Sequence, residues 1–286
     1  MTPSRVTIVE MSPRDGLQNE ARFVETADKI RLVDMLSDCG FERIEVTSFV
    51  SPKWVPQLAD AAAVMAGIKR RAGSRYAVLT PNMKGFEAAL AADAGEIAIF
   101  ASASETFSER NINCSIAESI ERFRPVADAS REAGIPMRGY VSCVVECPYE
   151  GAVAPEAAAR VAEKLRRLGC FEISLGDTIG RGRPEAVDRM LATVLGEAPA
   201  SMLAGHFHDT SGRALENIDV SLERGIAVFD ASIGGLGGCP YAPGAKGNVD
   251  TLAVARHLQT MGIETGLPRD ALQNVARFAR GLRSDG

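Results

Sequence analysis

The chain is 286 residues long, 46% hydrophobic and 24% charged, with a formal net charge of −5. An acidic balance argues against nucleic acid as a partner, because binding a phosphate backbone calls for a basic face. A chain of this length buries enough surface to fold without disulfides or a structural metal, and no apolar run reaches the ~18 residues that a membrane helix needs.

In chain order, strand-like runs rich in Val, Ile, Phe and Tyr alternate with amphipathic helical patterns. The first four pairs are strand 5–10 with helix 26–39, 43–49 with 57–71, 75–81 with 83–93, and 96–102 with 115–134. The second four are 137–144 with 155–169, 171–177 with 184–196, 203–208 with 212–225, and 228–233 with 249–262. Helix 115–134 carries its own end signals: Ser115 can cap it, Glu118 stands three residues later, and Gly134 and Pro136 end it. Parallel strands need crossover connections, so strict strand–helix alternation specifies a parallel sheet. Eight repeats select a closed (β/α)8 TIM barrel over an open sheet, as one domain across 1–286 with an extra helix near 269–283. The strand pattern starts at residue 5 with no signal or transit peptide visible before it, so a cytoplasmic enzyme is expected.

The six cysteines, Cys39, Cys114, Cys143, Cys147, Cys170 and Cys239, are scattered through hydrophobic runs. Cys143 and Cys147 have no second close pair to complete a zinc site, so reduced, buried thiols are expected.

In such a barrel the active site lies at the C-terminal ends of the strands and in the loops after them. The chemically distinctive residues fall there. Arg14 and Asp15 follow the first strand, Glu45 lies on the second, and Asp177 ends the sixth. His206 and His208 are on the seventh, and the loop after the eighth holds Cys239 and Asn248. Residues two apart on a strand share a face, so both imidazoles point to the barrel interior while Phe207 packs outward. The pair reads either as half of a metal site or as hydrogen-bonded core histidines. Because the eighth strand lies between the seventh and the first, Asp15 and Asn248 can approach the histidines. Each alone reads as a turn residue; with the histidines they make a mixed nitrogen and oxygen set suited to Mg²⁺ or Mn²⁺. The glycine-rich segment 234–247 is too rich in glycine for a strand or helix interior. It can fold over the site as a lid carrying Cys239 as a proton-transfer group, or be a flexible loop with an incidental cysteine.

The run from Glu10 through Arg14-Asp15-Gly16-Leu17-Gln18 to Glu20 resembles the opening motif of 3-hydroxy-3-methylglutaryl-CoA (HMG-CoA) lyases. So do Thr47 to Gln57, Asn111 to Ser115, Arg138 to Cys143, Ser174 to Gly180 and the glycine loop around Cys239, a similarity that runs from about residue 5 to 265. The resemblance implies a retro-Claisen carbon–carbon lyase that cleaves HMG-CoA to acetyl-CoA and acetoacetate. It implies Asp15, His206, His208 and Asn248 as ligands of a divalent cation, and Arg14 as stabiliser of the enolate oxygen. It further implies Cys239 in proton transfer, Asp177 and Glu45 as shaping and polarising catalytic groups, Gln18 in substrate contact, and a homo-oligomer, dimer or larger. Lys53, Asn111, Asn113 and Lys246 lie in loops suited to CoA, although polar loop residues are also ordinarily solvated. The chain departs from the family at Leu252, where many members carry Glu, and at Ser211 and Glu146. Those departures give weight to a second reading, a lyase for a related 3-hydroxyacyl-CoA. A Claisen-condensing synthase shares the barrel but ordinarily adds a C-terminal region, and a catalytically dead barrel fits poorly with the intact metal, arginine and cysteine positions.

Overall fold

A computed structural model describes residues 2–237 and 247–283. The first half of the chain runs β1 (Thr7–Glu10), α1 (Thr26–Asp38), β2 (Arg43–Ser48), α2 (Ala61–Gly67), β3 (Arg75–Leu79), α3 (Met83–Ala91), β4 (Glu96–Ser102), α4 (Glu105–Ile112), α5 (Ile116–Ala133) and β5 (Met137–Ser142). A small hairpin of β6 (Glu146–Cys147) and β7 (Gly151–Ala152) follows. Then come α6 (Pro155–Leu168), β8 (Glu172–Asp177), α7 (Pro184–Val194), β9 (Leu203–Phe207), α8 (Ala214–Glu223), β10 (Val228–Ala231), α9 (Thr251–Thr260) and α10 (Arg269–Arg280).

Eight of these strands close into a parallel barrel in the order β1-β10-β9-β8-β5-β4-β3-β2. This is the (β/α)8 TIM barrel expected from the alternation. Its last strand, β10, stands between β9 and β1, the neighbour relation that brings the distinctive residues together. Local chemistry accounts for the helix ends. Ser115 and Glu118 form a reciprocal capping box on α5, and Pro155 and Pro184 occupy first turns where a missing N–H costs nothing.

Two features differ from the sequence reading. The helix expected over 57–71 divides into a short turn, Pro56–Leu58, and α2, which stops at Gly67 where the chain turns extended at Ile68. Helix α4 and the β6–β7 hairpin were not expected. Helix α4 is a single capped piece, with the Ser104 hydroxyl accepting from the Phe107 N–H at 3.0 Å, too short to show a period.

Apolar side chains between strands and helices form the main core, including Leu32, Ile44, Ile97, Leu175, Phe207 and Phe229, each no more than 1% exposed. The barrel interior is different. Alongside a small apolar cluster of Val9, Met11, Leu79, Ala98 and Tyr140, it holds a chain of ion pairs. Arg43 meets Glu96 at 2.6 Å and Glu172 at 2.7 Å, and Arg138 meets Glu172 at 2.7 Å and Asp230 at 2.8 Å. Removing one partner of such a buried pair costs about 3–5 kcal/mol, because the other charge is left uncompensated.

Candidate active site

The chain leaves β1 through a π-helical turn, Ser12–Gly16, closed by the Gly16 N–H donating to the Met11 carbonyl at 3.1 Å. This turn sets Arg14 and Asp15 over the C-terminal mouth of the barrel. Arg14 is buried, and its Nε and Nη2 both lie 2.7 Å from Glu45 Oε2 while Nη1 lies 2.5 Å from Asp15 Oδ1. Two N–H groups of the guanidinium, on Nε and Nη1, donate hydrogen bonds, and Nη2 adds an ion-pair contact to Glu45. Glu45 sits on β2 beside a bulge between Glu45 and Thr47, which aims its carboxylate at that guanidinium.

His206 and His208 project from the end of β9 with ring centroids 5.4 Å apart, and the intervening Phe207 packs into the outer core. His206 Nδ1 lies 3.1 Å from Asp230 Oδ2, on the neighbouring β10. The segment beyond the glycine loop returns to pair with the end of β9: His208 bridges Asn248, and the Val249 N–H donates to the Phe207 carbonyl at 3.2 Å. That pairing carries Asn248 to Asp15, where its Nδ2 donates to Oδ2 at 2.7 Å. The amide thus reaches Asp15 through nitrogen, rather than offering its oxygen beside the histidines as the sequence reading had it. Half a turn of the amide exchanges the two atoms. One ligand atom each from Asp15, His206 and His208 falls within a 4.8 Å circle of mutual distances, a spacing that a single cation can span.

The electrostatics favour this cluster in the protonation state that metal binding needs. Burial alone would raise the Asp15 carboxyl, but Arg14, His206, His208 and the Asn248 amide outweigh it and hold it well below the usual carboxylate range. His208 is pushed down to about 4, chiefly by burial, so its imidazole is neutral. Burial raises the Glu45 carboxyl more than Arg14 lowers it. Asp230 stays well below the ordinary range because Arg138 and His206 offset its burial.

Arg14, Asp15 and both histidines line a cavity of about 740 Å³. Arg14, Asp15, Gln18, His206 and His208 form one part of the wall, and Arg110, Asn111 and Arg122 another, with Trp54 and Asn113 also on it. Asp177 is not on the wall. Its carboxylate accepts from the N–H groups of Arg181 at 3.3 Å and Gly182 at 2.8 Å, folding the loop after β8, and burial lifts it to about 6. Cys239 and Lys246 lie outside the described residues. The three departures also stand off the wall: Leu252 is buried on α9, Glu146 pairs with Arg181 at 3.2 Å, and Ser211 is exposed in the turn after β9.

The sequence profile of the HMGL-like family matches residues 5–279. The chain belongs to that family. Among its relatives is a protein of Pseudomonas aeruginosa named 3-hydroxy-3-isohexenylglutaryl-CoA/hydroxy-methylglutaryl-CoA lyase. It is 57% identical over 275 residues, which cover 96% of this chain and 92% of the relative. The HMG-CoA lyase structure from Brucella melitensis superposes with a TM-score of 0.98 at 66% identity, covering 99% of this chain and all of that one. A third member, an HMG-CoA lyase of Acinetobacter baumannii solved with coenzyme A and 3-methylmalate, has a TM-score of 0.92 at 38% identity over 98% of this chain and 91% of its own.

The motif reading found Arg14, Asp15, His206 and His208, which the HMGL-like barrel gathers within one cavity. It gave no role to Asp230, Arg110, Arg122 or Arg138, although Arg138 opens one of the runs that carry the resemblance. Arg138 and Asp230 had a signal: each is a charged residue inside an otherwise apolar strand, where an inward side chain must find a counter-charge. Arg110 lies on the unexpected α4 and Arg122 on the polar face of α5, so nothing in their local sequence set them apart from solvated surface.

Proposed function

We propose that the chain is a divalent-metal-dependent lyase that cleaves HMG-CoA to acetyl-CoA and acetoacetate. The observation that carries this reading is a buried, permanently charged guanidinium, Arg14, directly beside a carboxylate and two imidazoles in one cavity. The residues fit a cation. The donor set is one carboxylate with two imidazoles, and His208 Nδ1 is buried with no hydrogen-bond partner among the described residues. Asp15, His206, His208 and, after its amide turns, Asn248 would hold Mg²⁺ or Mn²⁺. When bound, the ion supplies Lewis-acid polarisation of substrate oxygens and makes the tertiary hydroxyl easier to deprotonate.

The rest of the chemistry belongs to the protein. Arg14 stabilises the negative oxygen of the acetyl-CoA enolate formed when the carbon–carbon bond breaks, and Glu45 holds its guanidinium on the cavity wall. Gln18, on the same wall, contacts the acyl group. Asp177 acts by fixing the loop after β8. Cys239 delivers the proton that converts enolate to acetyl-CoA. Arg110 and Arg122 offer charge to CoA phosphates, consistent with the coenzyme A bound in the Acinetobacter baumannii relative. The expected assembly is a cytoplasmic homo-oligomer, dimer or larger, which light scattering and cell fractionation would test.

Acetoacetate release from HMG-CoA, measured with Mg²⁺ or Mn²⁺ and again with chelator, is expected to be metal-dependent. Chelator-resistant turnover, or none with metal bound, overturns the reading. The second substrate in the name of the Pseudomonas aeruginosa relative supports a second reading. Under it the preferred substrate carries a 3-alkyl group longer than methyl, and the two acyl-CoA esters would be compared by kcat/KM.

A further inference from the structure

We propose that Asp230 is a positioning residue for the metal site: it fixes the proton of His206 on Nδ1 and so presents an unprotonated Nε2 to the cation. Asp230 lies outside the runs quoted above for the resemblance and is 2% exposed in the barrel interior, in register with His206 on the adjacent strand. Its Oδ2 lies 3.1 Å from His206 Nδ1, 2.7 Å from the Ser174 hydroxyl and 3.1 Å from Arg138 Nη1, and its Oδ1 accepts from Arg138 Nη2 at 2.8 Å. A carboxylate is an acceptor only, so the proton of the His206 contact belongs to Nδ1. A neutral imidazole protonated there carries its lone pair on Nε2, the nitrogen on the Asp15 side of the ring, 3.9 Å from Asp15 Oδ2.

Asp230 is itself held in place. Arg138 grips both of its oxygens, and Arg138 is anchored in turn by Glu172 at 2.7 Å and the Tyr140 hydroxyl at 2.9 Å. The ion pairs of the barrel interior therefore end on a metal ligand rather than merely filling space. His208 has no equivalent, since its Nδ1 lacks a hydrogen-bond partner among the described residues. His206 is accordingly the ligand whose tautomer and ring orientation are set before the ion arrives.

This inference rests on the metal-site reading, but the tautomer does not, and the test separates them. Imidazole nitrogen NMR on ¹⁵N-labelled, metal-free protein reports the protonated nitrogen directly, and His206→Gln identifies the His206 signals among the three histidines. The wild type is expected to carry the proton on Nδ1. In Asp230→Asn one Arg138 contact is lost whichever way the amide turns; the orientation that keeps the shorter one, with the amide oxygen in place of Oδ1 at Nη2, turns the NH₂ to His206 and moves the imidazole proton to Nε2. Mn²⁺ affinity, read by electron paramagnetic resonance of the free ion, then falls about 10–100-fold. A wild-type proton on Nε2 overturns the proposal, as does a folded Asp230→Asn protein that binds Mn²⁺ as tightly as wild type. Should Asp230→Asn fail to fold, the wild-type spectrum decides alone. Failure of the wild type to bind Mn²⁺ overturns the metal-site reading and this proposal together, whereas a wrong tautomer overturns only this one.

Discussion

Arg14 is buried because two carboxylates, Glu45 and Asp15, share its charge, and the same pairing leaves it rigid where an enolate would form. Replacing it with Met is expected to lower kcat about 10²–10³-fold, the range for loss of one fixed oxyanion donor. Mn²⁺ binding should persist, since Asp15 and the histidines stay; steady-state kinetics beside a Mn²⁺ titration checks both. At this scale the sequence was informative wherever a residue type is rare in its setting: His-x-His in a chain with three histidines, Arg-Asp-Gly directly after a strand. For Asp230 and Arg138 it showed only that a charge inside an apolar strand needs a counter-charge, not that each is the other's partner 92 positions away.

Among the elements, β9 and the segment returning after β10 decide the site. Gly205 on β9 has no room for a side chain, as a Cβ there would stand 2.6 Å from the Phe207 ring. Gly237 is more telling. It has φ of 94°, and a Cβ would lie 2.6 Å from Asn248 Nδ2 and 3.2 Å from the Asp15 carbonyl. Gly237→Ala should cost about 1–3 kcal/mol from its backbone alone and weaken Mn²⁺ binding by displacing Asn248. A lowered Tm with unchanged Mn²⁺ affinity would show that Asn248 does not depend on this approach. The glycine-rich run read as either a lid or a flexible loop; that the chain beyond it bridges back to the end of β9 was not legible, because a single bridge carries no periodicity.

For the whole molecule, the closure of the barrel is tied by Glu10. Its fully buried carboxylate accepts from the N–H groups of Ser12 and Ile233 at 2.9 Å and from the Thr251 hydroxyl at 2.7 Å, joining β1, the turn after it, the end of β10 and α9. Burial, against those hydrogen bonds, raises its pKa from 4.5 to about 7. The folded state then binds more protons than the unfolded state between those values, so this group's contribution is intact below 4.5 and is lost as pH rises through about 7. In Glu10→Gln, Oε1 can still accept from both N–H groups while the Thr251 hydroxyl turns to accept from the amide. Relative to wild type the variant should gain stability on going from pH 5 to pH 8, by up to about 3 kcal/mol. Urea unfolding at the two pH values measures this, and an equal difference at both would remove Glu10 from the pH response.

Eight strand–helix repeats and the positions of Arg14, Asp15, His206 and His208 relative to strand ends were present in the sequence, because period and punctuation are local properties that single residues express. The sequence also placed Glu45 and Asp177 at the site. Only the folded chain separated their settings, giving Glu45 to Arg14 and turning Asp177 toward the loop after β8. The interior ion pairs, the return of Asn248 to β9 and the arginines of α4 and α5 on the cavity wall were likewise decided by closure. Each joins residues far apart in the chain, and the energy of such a contact depends on burial and direction that no local window contains.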